Sequence, residues 1–217
     1  MKPSSPKQAK AEARRAYLVE QATRCLAEKG YAHVSLRDIA QESGVSLGIL
    51  HYYFRNKEDL LLAVITGYKN QFLRELEEEL LSGPFDGRQT RLSAIVYRAL
   101  TEDRNIHRLW YDLQIQAMYT PAFRPPVQNI RDRLHALIES MLDRICHEYA
   151  AGVETRIIKS WVPLFYTAID GLFLQALTLE TQEAREAVSR LEEDLSRLLS
   201  ALFAAHSHQE EVEKWEL

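Results

Sequence analysis

Apolar residues recur three and four positions apart along most of the chain, which predicts helices rather than strands. Leu18, Ala22, Cys25 and Leu26 mark the inner face of a first helix that Gly30 stops. Ser35 opens Ser-Leu-Arg-Asp, a serine with an acid three residues on, which predicts a capped second helix with Leu36, Ile39 and Ala40 inward. Gly44 ends it, and Ser46 caps a third helix with Leu50 and Phe54 inward. Asn56 caps a long fourth helix from Lys57, with Leu61, Ile65, Tyr68, Phe72 and Leu76 inward. The run Ser-Gly-Pro-Phe-Asp-Gly, residues 82–87, breaks the pattern. Leu92, Ile95, Val96 and Ala99 then predict a fifth helix, and Ile106, Leu109, Trp110 and Leu113 a sixth. After an interruption at residues 120–126, Ile130, Leu134, Leu137, Met141 and Ile145 predict a seventh. Gly152 separates it from an eighth at about 154–179 and a ninth at about 182–205, and the end of the chain is expected to fray. The expected fold class is all-α with about nine helices.

Charge divides this pattern. The net charge is −4, yet residues 1–58 carry ten Lys/Arg against six Asp/Glu. A basic N-terminal part on an acidic body is the asymmetry of a nucleic-acid-binding head, although short segments also fluctuate this much by chance. No apolar run approaches a membrane span, and the first fifteen residues are polar and basic, so neither a transmembrane helix nor a signal peptide is expected. Cys25 and Cys146 are far apart and form no metal or redox spacing, which favours a reduced cytoplasm. His206 and His208 lack a second ligand pair, and Cys146-His147-Glu148 reads as a helix face. No catalytic residue, metal or cofactor is expected.

The second and third helices, joined through Glu-Ser-Gly-Val-Ser, have helix-turn-helix spacing. With Leu50 and Phe54 inward, Leu47, Gly48, His51 and Tyr52 occupy the open face of a helix able to enter a major groove. Gly48 lets the backbone approach a duplex closely. Lys57 reaches a phosphate at the start of the next helix, and the helix ends at Ser35 and Ser46 offer N–H groups to phosphates. Leu47 is either a thymine-methyl contact or a packing residue, Arg37 either a phosphate contact or solvated, and Tyr53 divides evenly between core and contact. A helical interaction module or an all-helical enzyme is the alternative class.

The stretch AEKGYAHVSLRDIAQESGVSLGILHYYFRNKEDLL, residues 27–61, resembles the DNA-binding head of TetR-family transcriptional regulators. Further along, LWYDLQIQAMYTPAFRPPVQNIRDRL and AIDGLFLQAL are similar to the C-terminal region of the BetI-like branch. That branch commonly ends its recognition helix in His-Tyr-Phe; here Tyr52-Tyr53-Phe54 follows His51, so the operator does not transfer. The resemblance implies a homodimeric repressor released from a near-palindromic operator by a small-molecule inducer, with activation as the alternative sign. It implies a head at residues 1–56 with a basic arm (Lys2, Lys7, Lys10, Arg14, Arg15), a ligand-binding and dimerisation body at 57–206, and a tail at 207–217. By position, Ser35, Arg37, Ser46, Leu47, Gly48, His51, Tyr52 and Lys57 are its DNA contacts.

Two further sets follow from the body. Val188, Leu191, Leu195, Leu198 and Leu202 step by three and four, a heptad-like seam. With Phe165, Ala168 and Leu172 of the eighth helix they are the expected dimer interface, a four-helix bundle from two chains. His107, Trp110, Tyr111, Gln114 and Met118, with Trp161, Phe165 and Tyr166, are large or polar side chains interrupting aliphatic faces and are the expected ligand pocket. Such walls suit an apolar or aromatic inducer first. A quaternary cation helped by Asp112 or Asp170 comes second.

Overall fold

The structure is a computed structural model that describes residues 5–82, 88–149, 154–180 and 183–215. Lys2, residues 83–87, Gly152 and the side chains of Leu92, His206 and His208 lie outside the described residues. Among the described residues there are nine α-helices and no strand: α1 (Pro6–Lys29), α2 (Leu36–Glu42), α3 (Leu47–Tyr53), α4 (Lys57–Glu77), α5 (Arg88–Leu100), α6 (Arg104–Tyr119), α7 (Arg124–Tyr149), α8 (Thr155–Ala176) and α9 (Ala184–Trp215). One-turn 3₁₀ segments at Tyr31–His33 and Pro121–Phe123 and a π turn at Glu78–Ser82 join them.

The ends of the helices follow local chemistry. Ser5 and Gln8 form a capping box at the start of α1, with Pro6 at its first position, so Lys7, Lys10, Arg14 and Arg15 ride on a helix rather than on a loose arm. Gly30 stops α1 at φ +80° and ψ 156°, and its N–H donates to the Leu26 carbonyl at 2.8 Å. Asn56 caps α4 as expected, its side-chain oxygen accepting from the Asp59 N–H at 2.8 Å. The π turn was not expected from the apolar spacing; Arg144 of α7 donates to the Leu80 carbonyl within it at 3.1 Å.

Packing divides the chain into two compact units. The first comprises Met1–Gln71 and Asp103–Gln128, and the second Phe72–Glu102 and Asn129–Leu217. In the first, α1 packs against α2 and α6, and α2 against α3. Leu18, Leu26, Ile39, Leu50, Phe54 and Leu61 are wholly buried there. The α4 stripe is broader than expected: Leu60 and Val64 are buried as well, and so is Lys69, which is only 2% exposed. In the second unit α8 packs on α9, and α9 on α5. Ile138, Leu142, Cys146, Ile158, Val162, Phe165 and Leu202 form its main core.

Two expectations change. The α9 helix runs on through Trp215, past the point where fraying was expected. Helix α8 is long and apolar enough by composition to cross a membrane, unlike the sequence reading. Within it, Ile158, Val162 and Phe165 pack with α7 and α9, and the helix is continuous across Pro163.

The two positive-φ glycines give a graded test. Gly44 has φ +63° and Gly30 φ +80°, and neither has an atom within 4 Å of an added Cβ. The penalty of substitution is therefore backbone strain alone, about 1–2 kcal/mol for an ordinary residue in the left-handed region. Gly44→Asn is expected to cost less than Gly44→Ala, because asparagine tolerates that region. At Gly30, whose ψ is extended, asparagine is expected to give no such relief. Denaturant melts of the four variants check the ordering.

Candidate nucleic-acid interface and effector cluster

The turn between α2 and α3 is a Schellman motif. The Val45 N–H donates to the Ala40 carbonyl at 3.0 Å and the Gly44 N–H to the Gln41 carbonyl at 3.2 Å, with Gly44 left-handed between them. This reversal aims α3 away from α2. Tyr17 of α1 braces the turn, its hydroxyl donating to the Ser43 carbonyl at 3.3 Å. Arg14 lies over the Tyr17 ring at 5.2 Å and Arg15 over the Phe54 ring at 4.9 Å, so two α1 cations are held beside the motif.

On α3, Leu50 faces inward, and Phe54 just after it is also wholly buried, as the spacing predicts. Gly48, His51 and Tyr52 are exposed, Tyr52 to 79%, and Leu47 is half-buried. Tyr53 is half-buried with its ring edge-on to Tyr52 at 4.9 Å between centroids. The apolar spacing missed Ile49, 41% exposed on this same short helix. Ser46 caps α3, its Oγ accepting from the Ile49 N–H at 3.3 Å.

Ser35 and Lys57 are more committed than their types suggest. The Ser35 Oγ accepts from the Asp38 N–H at 3.3 Å and donates to the Asp38 carboxylate at 2.6 Å. These bonds from the Ser35 side chain and backbone hold the Asp38 carboxyl below its ordinary pKa. What this helix end offers a phosphate is then exposed Arg37 and the first-turn N–H groups, which no helix carbonyl can reach. The Lys57 ammonium donates to the Tyr31 carbonyl and lies 4.0 Å from the Tyr31 ring centroid. Burial lowers its pKa, with Glu58 and Asp112 opposing. Tyr31, pushed up to about 12 by burial and then by Glu58, is the clamp that sequence reading did not single out. Lys29 is tied to Glu42 and so is not a free cation of this surface.

The expected pocket residues separate. His107, Trp110, Tyr111, Gln114 and Met118 belong to the first unit; Trp161, Phe165 and Tyr166 belong to the second. Met118 is 68% exposed at the α6 surface. Phe165 is wholly buried in the second unit's core. Trp161 and Tyr166 pack partly buried against that core, Tyr166 edge-on to His135 at 4.7 Å. Burial raises the Tyr166 pKa, Asp170 adds to it and Arg131 opposes. His135 and Arg131, not expected from the sequence, are thus neighbours of Tyr166.

In the first unit, His107 and Trp110 are buried and meet α4. The Tyr68 hydroxyl lies 3.0 Å from His107 Nδ1, and Lys69 Nζ 3.4 Å from Nε2. An ammonium only donates, so Nε2 is the acceptor and the Nδ1–H donates to the Tyr68 oxygen. Burial, then the Lys69 charge, holds the His107 pKa well below its ordinary value. The imidazole is neutral at physiological pH.

The expected dimer seam is corrected in part. Phe165 and Leu202 are wholly buried in one chain, and Val188 and Leu191 are also buried. Their three-and-four steps are satisfied by packing within the chain. Ala168, Leu172, Leu195 and Leu198 are half-buried. A shallow groove on α8 and α9 is lined by Ala168, Gly171, Leu172, Gln175, Arg197 and Leu198, among others.

Comparison with known proteins agrees with this geometry. Residues 18–64 match the profile described as bacterial regulatory proteins, tetR family, and residues 89–205 the one described as tetracyclin repressor-like, C-terminal domain. The HTH-type transcriptional regulator BetI of Agrobacterium fabrum is 30% identical over 167 residues, 75% of this chain and 76% of its own length. A Saccharomonospora viridis regulator solved with choline shares the fold, with a TM-score of 0.69 at 23% identity over 84% of this chain and 96% of its own. The multidrug-binding protein EbrR, solved with ethidium, has a TM-score of 0.58 at 27% identity over 82% of this chain and 97% of its own. The chain belongs to the TetR family, and it is a DNA-binding transcriptional regulator of that ligand-responsive family, not an enzyme.

Proposed function

We propose that the protein is a repressor that binds a near-palindromic duplex as a homodimer in the cytoplasm and leaves it when a small molecule enters the body. The observation that carries the DNA reading is the open face of α3: Gly48, His51 and Tyr52 stand exposed beyond a Schellman turn, beside Arg14 and Arg15. Residues 1–56 serve as the head and 57–206 as the body, which begins with α4. Ser35, Arg37, Ser46, Leu47, Gly48, His51, Tyr52 and Lys57 are its DNA-contacting set, Ser35 and Ser46 through their helix ends.

The dimer forms along α8 and α9. Leu164, Ala168, Gly171 and Gln175 step by four, three and four, and Leu164 is 56% exposed on an otherwise apolar helix. That period is a helix-pairing seam, and small Ala168 and Gly171 allow a partner helix close approach. Leu172, Leu195 and Leu198 flank it. The effector is mostly apolar or aromatic; the second reading, a quaternary cation, is the one favoured by the relatives, since ethidium in EbrR and choline in the Saccharomonospora regulator are both cations. Release requires that it bind the DNA-incompatible arrangement more tightly than the compatible one.

Anisotropy titrations against a panel of duplexes test the division of roles. Tyr52→Ala is expected to weaken binding to every sequence alike, as a phosphate or sugar contact does. Leu47→Ala and His51→Ala are expected to change sequence preference by about 1–3 kcal/mol at single base positions. Uniform loss for all three would show that none reads bases.

A further inference from the structure

We propose that α3 reads its half-site through thymine methyl groups, and that Ile49 is the side chain that meets one of them. This rests on the DNA reading of α3 above and deepens it by naming the chemistry of the base contact.

The composition of α3 limits what the helix can recognise. Residues 47–53 are Leu-Gly-Ile-Leu-His-Tyr-Tyr, without arginine, lysine, asparagine, glutamine or a carboxylate. Those absent types are the ones that pair bidentately with guanine or adenine, or accept from cytosine, in the major groove. What α3 brings instead is an imidazole, two phenols and aliphatic surface. The apolar group that a base pair offers to such a surface in that groove is the C5 methyl of thymine.

The arrangement of these side chains singles out Ile49. Leu50 is wholly buried, and so is Phe54 just beyond the helix. Successive helical positions turn by about 100°, which puts Gly48, Ile49 and Tyr52 on the side away from that core. All three are exposed, Ile49 to 41% and Tyr52 to 79%, whereas Leu47 is half-buried. An added Cβ at Gly48 meets the Ser46 Oγ at 3.9 Å, an ordinary contact, so the space beside Ile49 is open to a duplex. The Ser46 cap accepts from the Ile49 N–H at 3.3 Å and fixes the backbone there. A β-branched side chain on a helix has one strongly preferred χ1, so Ile49 presents its methyl groups with little rotamer freedom to lose.

The cations around the motif lie off this face. Arg37 is exposed on α2, and a base contact from it would add a guanine outside the pairs beneath α3. Arg55 follows α3, its N–H donating to the Asp59 carboxylate at 3.3 Å. The Lys57 ammonium is held at the Tyr31 carbonyl.

The test starts from the duplex that the full chain enriches from a random pool. Each thymine is replaced in turn by deoxyuridine, which removes the C5 methyl and leaves the pairing edge and the charge unchanged, and binding is read by anisotropy. Wild type is expected to lose about fourfold at one or more thymines of each half-site, the worth of one methyl-sized apolar group. Ile49→Ala is expected to bind the thymine duplex at least about fourfold more weakly and to become indifferent to uridine at one of those positions, whereas Ile49→Val keeps the preference. Uridine tolerated by wild type at every thymine would overturn the proposal. So would a full uridine loss at every sensitive position in Ile49→Ala, because another side chain would then meet the methyls. Should Ile49→Ala melt early by circular dichroism, Ile49→Gln, which keeps bulk without the apolar surface, decides in its place. Failure to enrich any motif would sink the regulator reading as well, whereas an enriched motif indifferent to uridine sinks only the methyl assignment.

Discussion

Leu164→Glu combined with Gly171→Glu is expected to give a folded monomer that binds operator at least about a hundredfold more weakly than wild type, because two linked heads gain roughly 10²–10⁴ in avidity over one. Leu164 is exposed on α8, Gly171 is half-buried in its shallow groove, and an added Cβ at Gly171 meets no atom within 4 Å. The single chain therefore accommodates both charges, and replacing a mid-helix glycine should leave its melting temperature level or higher. Across a paired helix the same carboxylates meet apolar surface and each other. Leu202→Glu provides the contrast. Leu202 is wholly buried in the α7–α8–α9 core, so a charge there is expected to unfold the second unit before it tests any interface. Light scattering and anisotropy on the two variants separate these outcomes. A fully dimeric Leu164→Glu/Gly171→Glu protein would place the interface elsewhere.

Stability is expected to fall steeply as pH drops below about 6.5, the ordinary histidine pKa, and His107→Gln is expected to flatten that fall. The sign follows from which state binds the proton. Burial first, and the Lys69 charge second, keep the folded His107 pKa well below its ordinary value. Between the two pKa values the unfolded chain is protonated at this residue and the folded chain is not, so acid favours unfolding. Each unit of depression corresponds to about 1.4 kcal/mol. Above that window His107 contributes no slope. Urea melts from pH 7.5 to 5.0 on both proteins read the difference. Identical slopes would mean that the folded protein admits the proton at His107, contrary to its enclosure.

Sequence periodicity located part of each core: it named Ile130 and Leu137 of α7 but not Ile138 or Leu142, and Leu61 and Ile65 of α4 but not Leu60 or Val64. Leu50 and Phe54 are buried as that spacing requires, and Ser35, Ser46 and Asn56 cap as their types require. Gly44 marked a turn whose left-handed residue only glycine adopts freely. What spacing cannot express is which neighbour covers a face. The Val188–Leu191–Leu202 seam fits a partner chain and the same chain's core equally well by period; burial in one chain decides for the latter. Buried Lys69 is invisible to apolar spacing, because hydropathy records the penalty of burying a cation and not the rings and imidazole that receive it. Lys57 reads as a free phosphate contact because its clamp, Tyr31, lies twenty-six residues earlier in the chain. Ile49 is exposed beside buried Leu50 because neighbouring positions on a helix point about 100° apart.

Selection of duplexes from a random-sequence pool by the purified protein, followed by stoichiometry and salt titration on the enriched sequence, tests the regulator reading most directly. The expected result is a near-palindromic motif whose half-site centres are one or more helical turns apart, roughly 34–36 Å each. Two or four chains should bind it, and affinity should fall steeply with salt. No enriched motif, or binding of equal strength to every duplex, would contradict it.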